Sequence, residues 1–260
     1  MEVKTIPAEP AQFRRIADEI RTEILSGRLR PGQKLPSENE LKDAYATTRA
    51  TVAKALALLR ADGLIISEQG RGSFVRARPR VRLLSAGANY RSRRETGVSN
   101  FNAEATAQGQ QATQHLLAVE SVVPPPEIAD RLGTKLDDLV LVRRRIFTVE
   151  DEPMQLVDGY YPLALASGTA LASPRRIKGG AHSVIEDPNG PIKRRVVQFI
   201  EDLEIRMPTP NESETLRIAP GVPVVRILRT SYDAAETAVE VLDSLVPTDR
   251  HVLRYVIDVP

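Results

Sequence analysis

Between residues 12 and 75 the apolar pattern changes period, and that change constrains the fold more than any other feature. Phe13, Ile16, Ala17, Ile20 and Ile24 recur at helical spacing and mark one buried stripe. Gly27 and Pro31 then stop the helix, so GRLRPGQKLP reads as a turn-rich connector. Ser37, followed by Glu38, Asn39 and Glu40, spells a capping box and predicts a short helix to about Tyr45. Thr47 or Thr48 can cap a third helix, whose core-facing positions are Val52, Ala55, Leu56 and Leu59 and which Asp62-Gly63 ends. The period then falls from 3.6 to 2. Leu64-Ile65-Ile66 and Ser73-Phe74-Val75 read as strands around a tight turn over residues 68–72. Three helices followed by a hairpin make a winged helix-turn-helix.

The 260 residues are too many for one small core, so a second domain is expected. Residues 77–100 lack apolar periodicity and are rich in Arg, Ser, Gly and Asn, as a linker would be. Strand patterns follow over residues 115–122, 140–148, 155–161, 222–232, 239–246 and 252–259. Short helices are expected near Ile128–Leu132, over 163–171, from His182 and over 212–218. Residues 193–206 read as a strand or a mixed segment. Strands interleaved with short helices predict an α+β domain. The expected division is 1–76 for the winged helix-turn-helix, 77–96 for a basic linker and 97–260 for the second domain.

Charge is unevenly spread. Residues 1–76 carry thirteen Lys+Arg against ten Asp+Glu. Residues 77–94 carry six arginines (Arg78, Arg80, Arg82, Arg91, Arg93, Arg94) and no acid. The remainder carries 17 basic against 24 acidic residues. A basic N-terminal third on an acidic body suggests a polyanion partner. Cysteine is absent, which excludes a disulfide framework, a thiolate metal site and a cysteine nucleophile. MEVKTIPAEP has no apolar leader core and no run is long enough to span a bilayer, so a cytoplasmic protein is expected. His115, His182 and His251 are far apart and show no metal-ligand spacing. No catalytic constellation, metal site or cofactor is predicted.

The first domain carries an ordered set of short motifs: Leu35-Pro36-Ser37-Glu38, Thr48-Arg49, Thr51-Val52, Ala55-Leu56, Gly63-Leu64-Ile65 and Gly70-Arg71-Gly72. Over about residues 10–76 it resembles the DNA-binding domain of GntR-family transcriptional regulators. The resemblance agrees with the physics, because the first turn of a helix in the major groove reaches base edges. The exposed face of the third helix offers Thr48, Arg49, Ala50 and Ala53, with Thr51 and Lys54 flanking. Arg49 suits a bidentate contact with guanine, and Thr48 and Thr51 suit phosphates or a thymine methyl. In the wing, Gln69, Gly70, Arg71 and Gly72 allow close approach to the minor groove. Ser37, Glu38 and Asn39 complete the expected DNA-facing set. Relatives commonly carry arginine where this chain has Asn39 and Ala53, which implies an altered sequence preference.

The second domain shows sparser islands: Ala129-x-x-Leu132-Gly133, Glu152-Pro153, Tyr160-Tyr161-Pro162, Leu216-x-Ile218-x-Pro220-Gly221-x-Pro223-Val224, Val239-Glu240 and Asp249-Arg250. It is similar to the UTRA effector domain of the HutC subgroup. That resemblance implies a chorismate-lyase-like α+β fold, a small-molecule effector and a homodimer. Arg143 and Arg145 share one strand face and match arginines that bind phosphorylated or acidic effectors in relatives. They fit either an anion site or an edge-strand charge cluster. His182 and Ser183 fit either anion donors or a helix cap. Glu240 matches an acidic position that accepts hydrogen bonds from the effector. Tyr160 fits a pocket wall or the core. Val157 stands where several sugar-phosphate-binding relatives have glutamate, which favours a more apolar or acidic ligand.

The expected function is a sequence-specific transcriptional regulator, a repressor whose grip on a double-stranded DNA operator changes with a small-molecule effector, an anion where the arginines hold it. Two alternatives remain open: a lyase-type enzyme on the second domain, and a DNA-binding dimer indifferent to ligand.

Overall fold

The computed structural model describes residues 11–68, 70–76, 81–84 and 100–255. The chain divides into two compact units, the first built on its N-terminal 78 residues and the second on most of the remainder.

The first unit has helices α1 (Gln12–Leu25), α2 (Glu38–Ala44) and α3 (Arg49–Ala61), then strands β1 (Ile65–Glu68) and β2 (Gly72–Val75). Its core is the predicted stripe: Ile16, Ala17 and Ile20 of α1 pack on Leu41, Val52, Ala55, Leu56 and Leu59, with Ile65 and Val75 closing from the hairpin. α2 is only seven residues long and starts on a full capping box. The Ser37 amide donates to Glu40 Oε2 at 2.7 Å, and the Glu40 amide donates to Ser37 Oγ at 3.2 Å. Thr48, not Thr47, caps α3, its Oγ1 accepting from the Thr51 amide. The connector before α2 does more than turn. The Leu35 amide donates to the Ser73 carbonyl and the Val75 amide to the Gln33 carbonyl, which lays Lys34 alongside the hairpin.

The second unit is a six-stranded antiparallel sheet in the order β4-β5-β6-β9-β8-β7. Its strands are β4 (Ala112–Val122), β5 (Val140–Val149), β6 (Glu152–Pro162), β7 (Val196–Arg206), β8 (Val224–Asp233) and β9 (Ala238–Pro247). Two three-stranded meanders meet at the β6–β9 pair. Helix α5 (Pro126–Leu132) covers one face, placing Ile128 and Leu132 on Val140, Val142, Tyr160 and Val241. The other face carries α4 (Asn100–Ala107), α6 (Leu163–Ala166), a 3-10 turn (Ala170–Ala172) and α7 (Ala181–Ile185). There Leu141 and Tyr161 pack on Leu171, Ala181 and Ile185, while Phe101 and Ala105 pack on Phe147 and Val157.

Three local differences from the sequence reading stand out. α8 (Pro210–Thr215) starts two residues before the expected 212, because Thr209 and Glu212 form a second capping box with proline at its first position. Within the stretch read as linker, β3 (Val81–Leu84) pairs in parallel with β10 (His251–Arg254). α4 was not foreseen. Among the described residues no helix is long and apolar enough to cross a membrane.

Candidate functional site

Two surfaces hold the residues singled out above, one in each unit. In the first unit, the start of α3 stands clear of the core. Thr48, Arg49, Ala50 and Lys54 are exposed, and Thr51 and Ala53 are half-buried. Ser37 and Asn39 at the start of α2 are also exposed, with Glu38 half-buried between them. Arg49 Nε donates to Glu38 Oε2 at 2.9 Å, so the two helix starts are linked across the turn. Such an exposed pair is worth at most about 1 kcal/mol, and a guanine edge or a phosphate can replace the carboxylate. Thr48 and Thr51 hydroxyls lie 2.9 Å apart.

The wing tip continues this surface. Gly70 and Gly72 both have positive φ, +74° and +112°, which an L side chain rarely adopts. Arg71 is exposed. It pairs with Glu68, and its guanidinium carbon lies 5.5 Å from the Phe74 ring centroid. Gln69 falls outside the described residues, as do linker arginines Arg78, Arg80, Arg91, Arg93 and Arg94; the backbone of Arg82 lies in β3. Lys34 was not foreseen here, yet its Cε would lie 3.1 Å from a Cβ placed on Gly72. Only the pairing of residues 33–35 with β2 brings it to the wing, and no local motif announces that.

In the second unit, strand parity gathers the polar groups on one face of the sheet. Cross-strand pairs Arg143↔Gly159 and Arg145↔Val157 link β5 to β6. Gly159↔Leu242 links β6 to β9, and Ser231↔Glu240 links β8 to β9. Glu240 is buried near the centre of that face. Tyr161 donates its hydroxyl to Glu240 Oε1 at 2.6 Å, and His182 Nε2 lies 2.8 Å from Oε2. Burial pushes the Glu240 carboxyl up, but the charge and hydrogen bond of His182, the Tyr161 hydroxyl and the Arg145 charge together hold it down at about 2. Burial and the Glu240 charge push the Tyr161 phenol well above its usual range, so it stays a neutral donor. The His182 ring stands 5.8 Å from that of Phe199 on the edge strand.

The two predicted arginines have different surroundings. Arg143 is buried with its guanidinium committed to backbone: Nη1 donates to the carbonyls of Leu171 (2.5 Å) and Ser173 (2.7 Å), Nη2 to that of Arg175 (2.8 Å). It pins the loop that leads towards α7 and His182. Arg145 is different. Its Nε and Nη2 are buried and have no hydrogen-bond partner among the described residues. A guanidinium does not deprotonate, so each unmet donor costs on the order of 1–3 kcal/mol. Gly159 leaves room for the Tyr161 hydroxyl and the Arg145 guanidinium, which lie over its backbone. A Cβ there would stand 2.7 Å from the Tyr161 hydroxyl and 3.0 Å from Arg145 Nη2.

The remaining candidates sort by face. Tyr160 points to the opposite side of the sheet, into the cluster under α5, with its hydroxyl 3.4 Å from Asp158. Ser183 donates to the carbonyls of Lys178 and Gly180 within its own turn. Val157 is buried on the Arg145 face. Tyr161 and Gly159, not singled out by sequence, belong to the cluster. A glycine inside a strand was the available signal, since it marks a close approach. Among the described residues no group of three or more metal-ligating side chains forms.

Comparison with known proteins covers both units. The UTRA domain family model matches residues 107–252, more than half of the chain, and that of bacterial regulatory proteins of the gntR family matches residues 12–75. The chain is similar to the HTH-type transcriptional repressor NagR of Bacillus subtilis (strain 168), 27% identical over 95% of this chain and 94% of that protein. It is also similar to a solved GntR-family transcriptional regulator, 27% identical with a TM-score of 0.68, covering 96% of this chain and 99% of that one. PhnF from Mycobacterium smegmatis, 23% identical with a TM-score of 0.58 over 94% and 100% of the two chains, shares the fold.

Proposed function

Since the chain belongs to the UTRA-bearing group of gntR-type bacterial regulators, a class of DNA-binding proteins modulated by effectors, we propose the parts that its own residues play. Residues 1–76 read the operator, 77–96 act as a basic linker, and 97–260 bind the effector and dimerise. A homodimer places two wings on a pseudo-palindromic site in the cytoplasm. Arg49 reads a base edge. Thr48, Thr51 and Lys54 hold the backbone, and the wing enters the minor groove. The linker arginines add salt-sensitive contacts, read by titrating operator affinity against salt.

The effector is a small anion held on the face that carries Arg145, Tyr161 and Glu240. The observation that carries this reading is the buried Nε–Nη2 edge of Arg145, which no group among the described residues meets. Effector occupancy repels or draws the two DNA-binding units into a different spacing only if it binds the two states unequally. The reading contains no catalytic step, so turnover of a bound ligand contradicts it.

The test is operator release. A duplex selected from random sequence is titrated with the full chain by fluorescence anisotropy, with and without metabolites. Arg49→Ala is expected to cost about 1–3 kcal/mol of affinity and to relax discrimination at one base pair. Arg145→Ala is expected to bind the duplex normally but to ignore the effector. Unchanged base preference in the first variant, or a normal effector response in the second, rejects the respective assignment.

A further inference from the structure

Resting on the effector reading above, we propose that the site takes a small monocarboxylate, held bidentately on the Nε–Nη2 edge of Arg145, in preference to a phosphate ester. The edge left open is the side of the guanidinium that presents two parallel N–H groups. Two parallel donors match the two oxygens of one carboxylate. A phosphate monoester offers three terminal oxygens and a charge of about −1.5 to −2 at neutral pH, and its full recognition calls for further donors.

The neighbouring cation does not supply them. Arg143 lies two residues away on the same strand face, but both of its terminal nitrogens donate to the carbonyls of residues 171, 173 and 175. Breaking those bonds would leave three carbonyls to be satisfied again, one of them in the buried turn at Leu171. The surroundings also weigh against a dianion. Glu240 is a buried carboxylate on this face, held ionised and within electrostatic reach of Arg145. Each additional negative charge brought beside it is penalised in a site of low polarity. Along the strands the cross-strand partners are apolar, Val157 opposite Arg145 and Leu242 opposite Gly159. A carboxylate on an apolar body fits that pairing. Val157 and Leu242 offer the hydroxyls of a phosphosugar no acceptor.

The experiment follows the Nε–H resonance of Arg145 by NMR in the full-length protein, assigned by its loss in Arg145→Lys. Acetate, benzoate, methyl phosphate and inorganic phosphate are titrated separately at constant ionic strength. Acetate and benzoate are expected to shift the resonance and to bind at least tenfold more tightly than either phosphate. Arg145→Lys keeps the charge but loses the fork, so benzoate affinity measured by calorimetry is expected to fall at least tenfold and the preference over methyl phosphate to vanish. Equal or tighter binding of methyl phosphate at Arg145 overturns the proposal, and so does the failure of both carboxylates to shift the resonance. Failure of the effector reading looks different: carboxylates bind at Arg145, yet operator affinity is the same with and without them.

Discussion

Gly159 shows how much one missing atom can carry. It sits in a central strand without the positive φ that usually explains a glycine, and the reason is the crowding above it. Tyr161 is wholly buried and its hydroxyl is fixed on Glu240, so it cannot swing away from an added methyl. Gly159→Ala is therefore expected to cost about 1–3 kcal/mol of stability through overpacking and to weaken the effector response, while leaving operator binding without effector intact. Urea unfolding followed by circular dichroism reads the first effect, and operator titration the second. Normal stability and a normal response would mean that Tyr161 and Arg145 give way freely above Gly159. At this scale the sequence was partly legible. The parity of Arg143 and Arg145 follows from strand alternation, and so does the placing of Val157 with Arg145 once the strand is in register. Which arginine stays open does not follow, because it depends on carbonyls 28 to 32 residues away that fold back onto Arg143. The choice between Tyr160 and Tyr161 likewise depends on which face receives the later helices.

Among elements, the short helix α2 is the one whose existence rests most on local chemistry. It has seven residues and a single buried side chain, Leu41, so neither length nor packing supports it strongly. Its capping box satisfies the Glu40 amide and the Ser37 amide reciprocally. Ser37→Ala removes the first of these bonds and is expected to destabilise the winged unit by about 1 kcal/mol. It should also lower operator affinity, because α2 sets the position of Glu38 opposite Arg49. A urea midpoint and an anisotropy titration, both indistinguishable from the parent, would show that the helix forms without its cap. Such elements are readable from sequence because cap, stripe and stop lie within a dozen residues. The wing was readable for the same reason. The β3–β10 pairing was not: a strand was expected over residues 252–259, but β3 lies in the stretch read as linker, about 170 positions away, with no periodic signature of its own. α4 begins at the edge of an arginine-rich stretch, and the buried residues described in it, Phe101 and Ala105, are too few to mark a stripe.

For the molecule as a whole, the pairing of β3 with β10 joins the start of the second unit to the last described strand, and a buried histidine lies at that join. His251 is buried at the first position of β10. Its Nδ1–H donates to the Pro247 carbonyl at 2.9 Å, and its Nε2 has no partner among the described residues. Burial is the main reason that its pKa is lowered from 6.5 to about 4. The Arg250 charge adds to the lowering, and the Pro247 bond and the Asp249 charge oppose it. Below pH 6.5 the unfolded chain therefore takes up a proton that the folded chain refuses until the pH nears 4. The stability attached to the neutral ring is complete above pH 6.5 and is lost as the pH falls through that window, to a total of roughly 3 kcal/mol. Two carboxylates, buried Glu240 and half-buried Glu212, act in a separate window. Glu240 and Glu212 are both held at about 2, so their contributions persist above pH 4.5 and fade only as the pH falls below it. A urea midpoint followed between pH 7.5 and 4.5 should therefore decline through the histidine before either carboxylate contributes. His251→Gln, which keeps a hydrogen-bond donor but cannot titrate, is expected to flatten that decline whatever it does to stability at pH 7.5. A decline of unchanged slope in the variant would place the acid sensitivity elsewhere in the chain and leave the join between β3 and β10 indifferent to pH.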